Sequence, residues 1–234
     1  MYCMTTKQQL IVTLCMLLLT ILLFGISTFD IHIEDTFFNT QSHTWILDRE
    51  LQPYKFIFYN GIKRLLIFIA VGFLIALIFF HKKNIIQRYK KGILTVILSA
   101  ILVPLVVGGL KKYTNMPCPK DEIHYGGTYP KTAVWEKYTP IYAQKPPIKC
   151  WPAGHASGGF ALMSLFFLFK RRRNRYIALG GALLVGWSMG LYKMLIGDHF
   201  FSHTVITMIL AWLLILILHI TIENFSQTTE LSHD

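Results

Sequence analysis

Six apolar runs, at residues 10–26, 65–80, 92–110, 157–169, 176–196 and 205–222, constrain this chain more than any other feature. About 20 consecutive apolar residues in helical form match the hydrocarbon core of a bilayer, whose interior leaves no backbone group to water. The 234 residues are 53% hydrophobic and only 15% charged, with a mean hydropathy of +0.46. An ordinary soluble domain carries about 25% charged residues, so most soluble enzymes and any disordered tail are excluded. The expected fold is all-α and integral to the membrane, a six-helix transmembrane bundle forming one domain over residues 1–234. Several runs fall short of 20 residues, so their helices must borrow polar flanks or be irregular.

The net charge of +11 admits nucleic acid, anionic lipid or topology as its cause. Ten of the 23 Lys and Arg fall in two clusters, HKKNIIQRYKK (81–91) and KRRRNR (170–175), each between apolar runs. Short basic loops between spans mark the cytoplasmic side. No nucleic-acid partner is expected, because no soluble domain is present to carry a groove reader. With both clusters inside, both termini are inside as well, and segments 27–64, 111–156 and 197–204 face out. The first run admits a second reading as a signal peptide, although no small-x-small cleavage site follows it in GISTFDIHIED. Between residues 27 and 60, stretches such as DTFFNTQSHTWILDREL read as helices lying at the interface, with Trp45 and Tyr54 at headgroup depth.

Cys118 and Cys150 share the large outer loop, 111–156, where an oxidising periplasm would keep a disulfide. Two free thiols are the alternative.

Three segments carry the chemistry: KKYTNMPCP (111–119) after the third run, CWPAGHASGG (150–159) opening the fourth, and YKMLIGDHFFSH (192–203) between the fifth and sixth. All three emerge on the outer face of a topology derived from charges elsewhere. Pro152 suits a helix start, Gly154 allows close approach to the backbone, and the first-turn N–H groups form an anion site. Gly197-Asp198 reads as a turn and N-cap. The last helix is then expected to begin near His199, with His199 and His203 on one face.

These segments resemble the type 2 phosphatidic acid phosphatase superfamily of six-span membrane phosphatases. Its pattern is Lys, six residues, Arg-Pro; then Pro-Ser-Gly-His; then Ser-Arg, five residues, His, three residues, Asp. The chain has Lys111, six residues, Cys118-Pro119; Pro152-Ala153-Gly154-His155; and Tyr192-Lys193, five residues, His199, three residues, His203. The resemblance implies that His199 is the nucleophile forming a phosphohistidine and His155 the general acid. It also implies that Lys111 and Lys193, with Gly154, hold the phosphate, and that no cofactor or metal is needed. Histidine suits both roles because it can be neutral or charged near neutral pH.

Four positions depart from the pattern. Cys118 and Lys193 replace arginines, removing bidentate forks, with lysine supplying only a point charge. Ala153 replaces serine, and Ser157, one turn further on, is a candidate substitute donor. His203 replaces aspartate; a neutral imidazole can still accept a hydrogen bond from His199, and Asp198 is the alternative source of negative charge.

Two other readings stay open on residues alone. A zinc hydrolase would use His199, His203 and Asp198 or His155, though no HExxH glutamate is present. A transporter would carry ionisable residues at the bilayer midplane, which these spans nearly lack. The reading followed is a bacterial inner-membrane enzyme removing phosphate from a lipid at the periplasmic leaflet. The stretch 111–149 holds seven lysines against three acids, which favours a multiply anionic headgroup. Lipid A comes first, an isoprenyl diphosphate second, then phosphatidylglycerophosphate or phosphatidic acid.

Overall fold

The computed structural model describes residues 4–146 and 148–231. Eight α-helices account for most of them: α1 (Thr6–Ile26), α2 (Phe29–Glu34), α3 (Ile62–Phe79, entered through a π-helical turn over Phe56–Gly61), α4 (Asn84–Leu110), α5 (Gly154–Ala161), α6 (Leu165–Leu168), α7 (Arg172–Leu195) and α8 (Phe201–Leu231). Five helical segments are long and apolar enough to cross a membrane: Thr6–Ile26, Phe56–Phe79, Asn84–Tyr113, Arg172–Leu195 and Phe201–Thr228. The fourth expected span is instead the shorter apolar segment Gly154–Leu168, interrupted by a 3-10 turn over Leu162–Ser164. At 1.5 Å per residue it reaches only about 22 Å, short of the roughly 30 Å hydrocarbon core.

That short element is central. Helix α5 packs against α4, α7 and α8, while α1 lies along α8. Phe160, Ala156, Val103 and Ile215 are fully buried in the shared core. Close approach of α5 to α7 depends on small residues: a Cβ on Gly159 would stand 2.7 Å from the Cα of Gly186. Small residues at helix contacts are how membrane bundles gain dispersion energy, since lipid offers no hydrophobic drive between helices.

Segment 27–60 differs from the interfacial helices expected of it. After α2 the chain makes a short antiparallel pair, β1 (Phe38–Asn39) with β2 (Thr44–Trp45). The reason is local. Asn39 Oδ1 accepts from the N–H groups of Gln41 and Ser42, and His43 adopts a φ of 52°, so side-chain hydrogen bonding outcompetes helix. Phe38, Trp45 and Tyr125 then pack, tilted and edge-to-face, into a small aromatic core.

Connectivity puts the three motif segments at one end and the two basic clusters at the other. Helix α4 runs from the first cluster to Lys111, and α7 runs from the second to Lys193. Lys170 Nζ lies 5.9 Å from the Tyr89 ring centroid, which joins the two clusters directly. Reporter fusions at residues 86 and 172 are therefore expected to give the same signal; opposite signals from the two sites would contradict the arrangement.

Helix α2 brings two acids into the protein. Glu34 is wholly buried with neither carboxylate oxygen partnered. Burial, then the charges of Asp30 and Asp35, push its pKa up to about 9. The sign follows directly: the folded state keeps its proton while an unfolded chain, with the ordinary value of 4.5, ionises. Stability from this group is full below about pH 4.5 and falls as pH rises toward 9. Glu34→Gln is accordingly expected to raise the melting temperature at pH 8 and leave it nearly unchanged at pH 4, as read by scanning fluorimetry in detergent.

Candidate active site

Four elements converge at the motif end: the C-terminus of α4, the N-terminus of α5, the end of α7 with the turn that follows it, and the start of α8. Between α7 and α8 the chain reverses through Gly197, whose φ of +70° is open to glycine at little cost. A Cβ there would also strike the Trp45 ring, 2.3 Å away. The N–H groups of Asp198 and His199 both donate to the carbonyl of Lys193, which closes the turn and fixes the direction of His199. Helix α8 starts at Phe201, two residues later than expected, because these bonds hold residues 198–200 outside the helix. His199 and His203 nevertheless face one another.

Three histidines meet here. The His155 and His199 ring centroids are 6.1 Å apart, those of His199 and His203 5.5 Å. His199 and His203 are buried, and their Nδ1 atoms lie 3.4 Å apart. Only one proton fits between two imidazole nitrogens. If His199 holds it on Nδ1 and donates to His203, the His199 Nε2 lone pair is left for attack, and the proton of His203 sits on Nε2, which is buried without a partner. Burial, then the positive charge of Lys111, lowers the pKa of His199 well below 6.5, so it is neutral at physiological pH.

Lysines and the helix start supply positive potential. A Cβ added to Gly154 would lie 3.4 Å from Lys111 Nζ, so the ammonium rests against the first turn of α5. That turn begins at Gly154, not Pro152. The N–H of Ala153 is taken by Thr207 Oγ1 (2.8 Å) and the carbonyl of His203. The Ser157 hydroxyl donates to the Gly154 carbonyl at 2.7 Å, a bond it would have to exchange in order to donate to a phosphate.

Asp198 does not turn toward His199. Its carboxylate is held by Arg49, by Lys120 at 2.9 Å and by Lys193 at 2.9 Å. Burial alone would push the carboxyl up, but Lys193, through charge and hydrogen bond, and Lys120 hold it below the usual value. One carboxylate thus gathers three cations beside the histidines, with Lys111 close by. Arg49 and Lys120 were invisible to motif reading. Arg49 lies in a stretch read as interfacial helix, and only the hairpin's position over the bundle carries it here.

Asp30 was also missed. It is 3% exposed, and its carboxylate accepts from the N–H (2.9 Å) and the hydroxyl (2.5 Å) of Ser202. Since Ser202 sits between His199 and His203 in the first turn of α8, Asp30 caps that helix from another element. Burial raises its pKa to about 6, moderated by the Ser202 bonds. Asp30→Ala would loosen the turn carrying both histidines and should lower kcat by up to about 10², since a misplacement of about 1 Å costs that much. Asp30→Asn, which keeps an acceptor, should lose less, and a helix cap with no bearing on the site would lower stability in both variants while leaving kcat unchanged.

Cys118 and Cys150 are joined in a disulfide 32 residues apart in sequence. Closing a loop of that size contributes roughly 3–4 kcal/mol by the chain-entropy estimate. It ties the segment after Lys111 to the segment before His155. The Sγ of Cys150 lies 3.4 Å from Nδ1 of His199. Neither ligand set weighed for zinc is the one that forms: among the described residues, the group close enough to hold a metal is Cys150, His199 and His203, with Cys150 in the place expected of Asp198 or His155. Asp198 points into its cation cluster instead.

Beside His155 a cavity of about 430 Å³ opens between α3, α4 and α5. Its walls are apolar, with Leu66, Ala70, Ala100 and Pro104 among them, and Lys63 joins His155 at the polar end. Comparison with known proteins gives one finding: the model of the PAP2 superfamily matches residues 92–227. No curated protein and no solved structure matches the chain significantly.

Proposed function

Because the chain belongs to the PAP2 superfamily, whose members are phosphatases of phosphorylated lipids, we propose that it removes phosphate from a membrane lipid through a phosphohistidine on His199. One observation carries the reading: two buried histidines and His155 meet at a cation cluster whose neighbouring cavity is apolar. A phosphate at the end of a lipid chain needs both environments at once.

In the proposed reaction Nε2 of His199 attacks phosphorus as the bond to the leaving oxygen breaks, and His155 protonates that oxygen. Water then attacks the phosphohistidine, giving its proton to His155, and inorganic phosphate departs. Lys111, Lys193 and the first N–H groups of α5 stabilise the charge spread over the transferring group, the part a metal plays in many phosphoryl-transfer sites. Arg49 supplies the planar fork that the motif positions occupied by Cys118 and Lys193 lack. His203 holds His199 in the nucleophilic tautomer.

For the headgroup, lipid A remains the first choice, acted on from the periplasmic face of a bacterial inner membrane. The lysines of 111–149 support this less strongly than their number suggests. Lys120 is bound to Asp198, Lys131 donates to the Ser27 carbonyl and Lys145 to that of Thr128, so part of this charge builds the loop. The cavity favours a second reading. About 430 Å³ lies in the range that takes one drug-sized ligand and suits a single chain close to the phosphate, as in an isoprenyl diphosphate. Purified protein given lipid A, undecaprenyl diphosphate, phosphatidylglycerophosphate and phosphatidic acid in mixed micelles should release phosphate from one class at a kcat/KM at least tenfold above the others. Release from none would overturn the reading.

A further inference from the structure

We propose that the Cys118–Cys150 disulfide masks a zinc site made of Cys150, His199 and His203, and that zinc bound there after reduction switches the enzyme off. Zinc binding needs only the geometry below; the switching rests on the reading of His199 as nucleophile.

The three ligand atoms lie within 4.8 Å of one another, on residues 1%, 3% and 0% exposed. Two edges of the group are known: Cys150 Sγ to His199 Nδ1, 3.4 Å, and His199 Nδ1 to His203 Nδ1, 3.4 Å. Tetrahedral zinc with bonds of about 2.0–2.1 Å to nitrogen and about 2.3 Å to sulfur sets N–N edges of about 3.4 Å and S–N edges of about 3.6 Å. Two of the three edges therefore already match a zinc polyhedron, and the third, from Cys150 to His203, lies within 4.8 Å, with the fourth corner left to water. What the oxidised protein lacks is the thiolate. A disulfide sulfur is a poor ligand, and two neutral imidazoles alone bind zinc weakly.

Reduction supplies it. A dithiol reductant gives two electrons and two protons to the bridge, becoming a disulfide itself, while Cys118 and Cys150 become thiols. Zinc then displaces the Cys150 proton to solvent and takes the Nδ1 lone pairs of both histidines. The proton of His199 must move to Nε2, because a neutral imidazole bound to metal through one nitrogen carries its hydrogen on the other. Nε2 is the atom proposed to attack phosphorus, and with that proton it has no lone pair to offer. The thiolate also offsets part of the charge that zinc adds beside Lys111.

Cobalt(II) tests this, because its tetrahedral and thiolate bands report the ligands without reference to activity. Full-length protein in detergent, reduced with a dithiol and freed of it by gel filtration without air, should bind one cobalt per chain with a thiolate charge-transfer band. Zinc should displace the cobalt, and the oxidised protein should bind at least 100-fold more weakly. Cys118→Ala should bind without any reductant, and Cys150→Ala should not bind under either condition. Both variants lose the disulfide, so a folding defect would strike them alike. Zinc should inhibit reduced protein and Cys118→Ala, with a chelator restoring the rate. Equal affinity in oxidised and reduced protein, equal binding by the two variants, or cobalt binding without a thiolate band would overturn the proposal. Cobalt binding as described in a protein with no phosphatase activity would overturn the functional reading and the switch while leaving the metal site standing.

Discussion

His199→Ala is expected to reduce turnover to no more than about 10⁻³ of the parent, because removing the nucleophile of a coupled set leaves only binding and electrostatic stabilisation. KM should change far less than kcat, since the cations proposed to hold the phosphate, Lys111 and Lys193, remain in place. The loss should be equally deep for alkyl phosphates and diphosphates. His155→Ala should behave differently, because a diphosphate leaving group needs little protonation and would be spared relative to an alkoxide. A common loss for both leaving groups in His155→Ala would remove the general-acid role from His155. Steady-state kinetics on two substrates that share a lipid chain would separate the cases.

The second large effect belongs to His203. Its Nδ1 is 3.4 Å from that of His199 and its Nε2 is buried without a partner among the described residues, so the polar contact of its ring is with the proposed nucleophile. His203→Ala should lower kcat roughly 10- to 10⁴-fold. His203→Asp restores the residue of the family's motif and offers a carboxylate oxygen to the same Nδ1–H, so substantial activity should return. An alanine variant with full activity would show that the turn alone, through the Lys193 carbonyl and Asp30, orients His199. An aspartate variant as poor as alanine would show that the neighbourhood, with Asp198 already gathering three cations, has no room for another carboxylate.

The helices and the three motifs were legible in the sequence because both are local. Apolar runs long enough to span mark themselves, and Lys111, His155 and His199 carry spacings that survive without knowledge of tertiary structure. The irregular fourth helix was signalled by the shortness of run 157–169; in the fold, Gly159 lets α5 sit deep against Gly186 of α7. What sequence could not show depends on contacts between distant segments. Arg49 reaches Asp198 across 149 positions and Asp30 reaches Ser202 across 172; neither residue lies in the stretch that matches the family. Asp198 is the clearest case. Its adjacency to His199 suggested a partner for that ring, yet the turn closed by Gly197 aims the two side chains apart, and the carboxylate goes to the cations. The hairpin over 38–45 was hidden in a different way, since its aromatic residues fit an amphipathic helix until the Asn39 turn is taken into account.

Trapping the phosphoenzyme tests the central claim most directly. Protein mixed with lipid carrying radiolabelled phosphate and quenched within a turnover in strong alkali should retain the label on the chain. That label should be stable to base, released by mild acid, mapped to His199 in a peptide digest, and absent from His199→Ala. Label that survives acid, label that persists in His199→Ala, or phosphate release with no labelled protein at any quench time would contradict a phosphohistidine on His199.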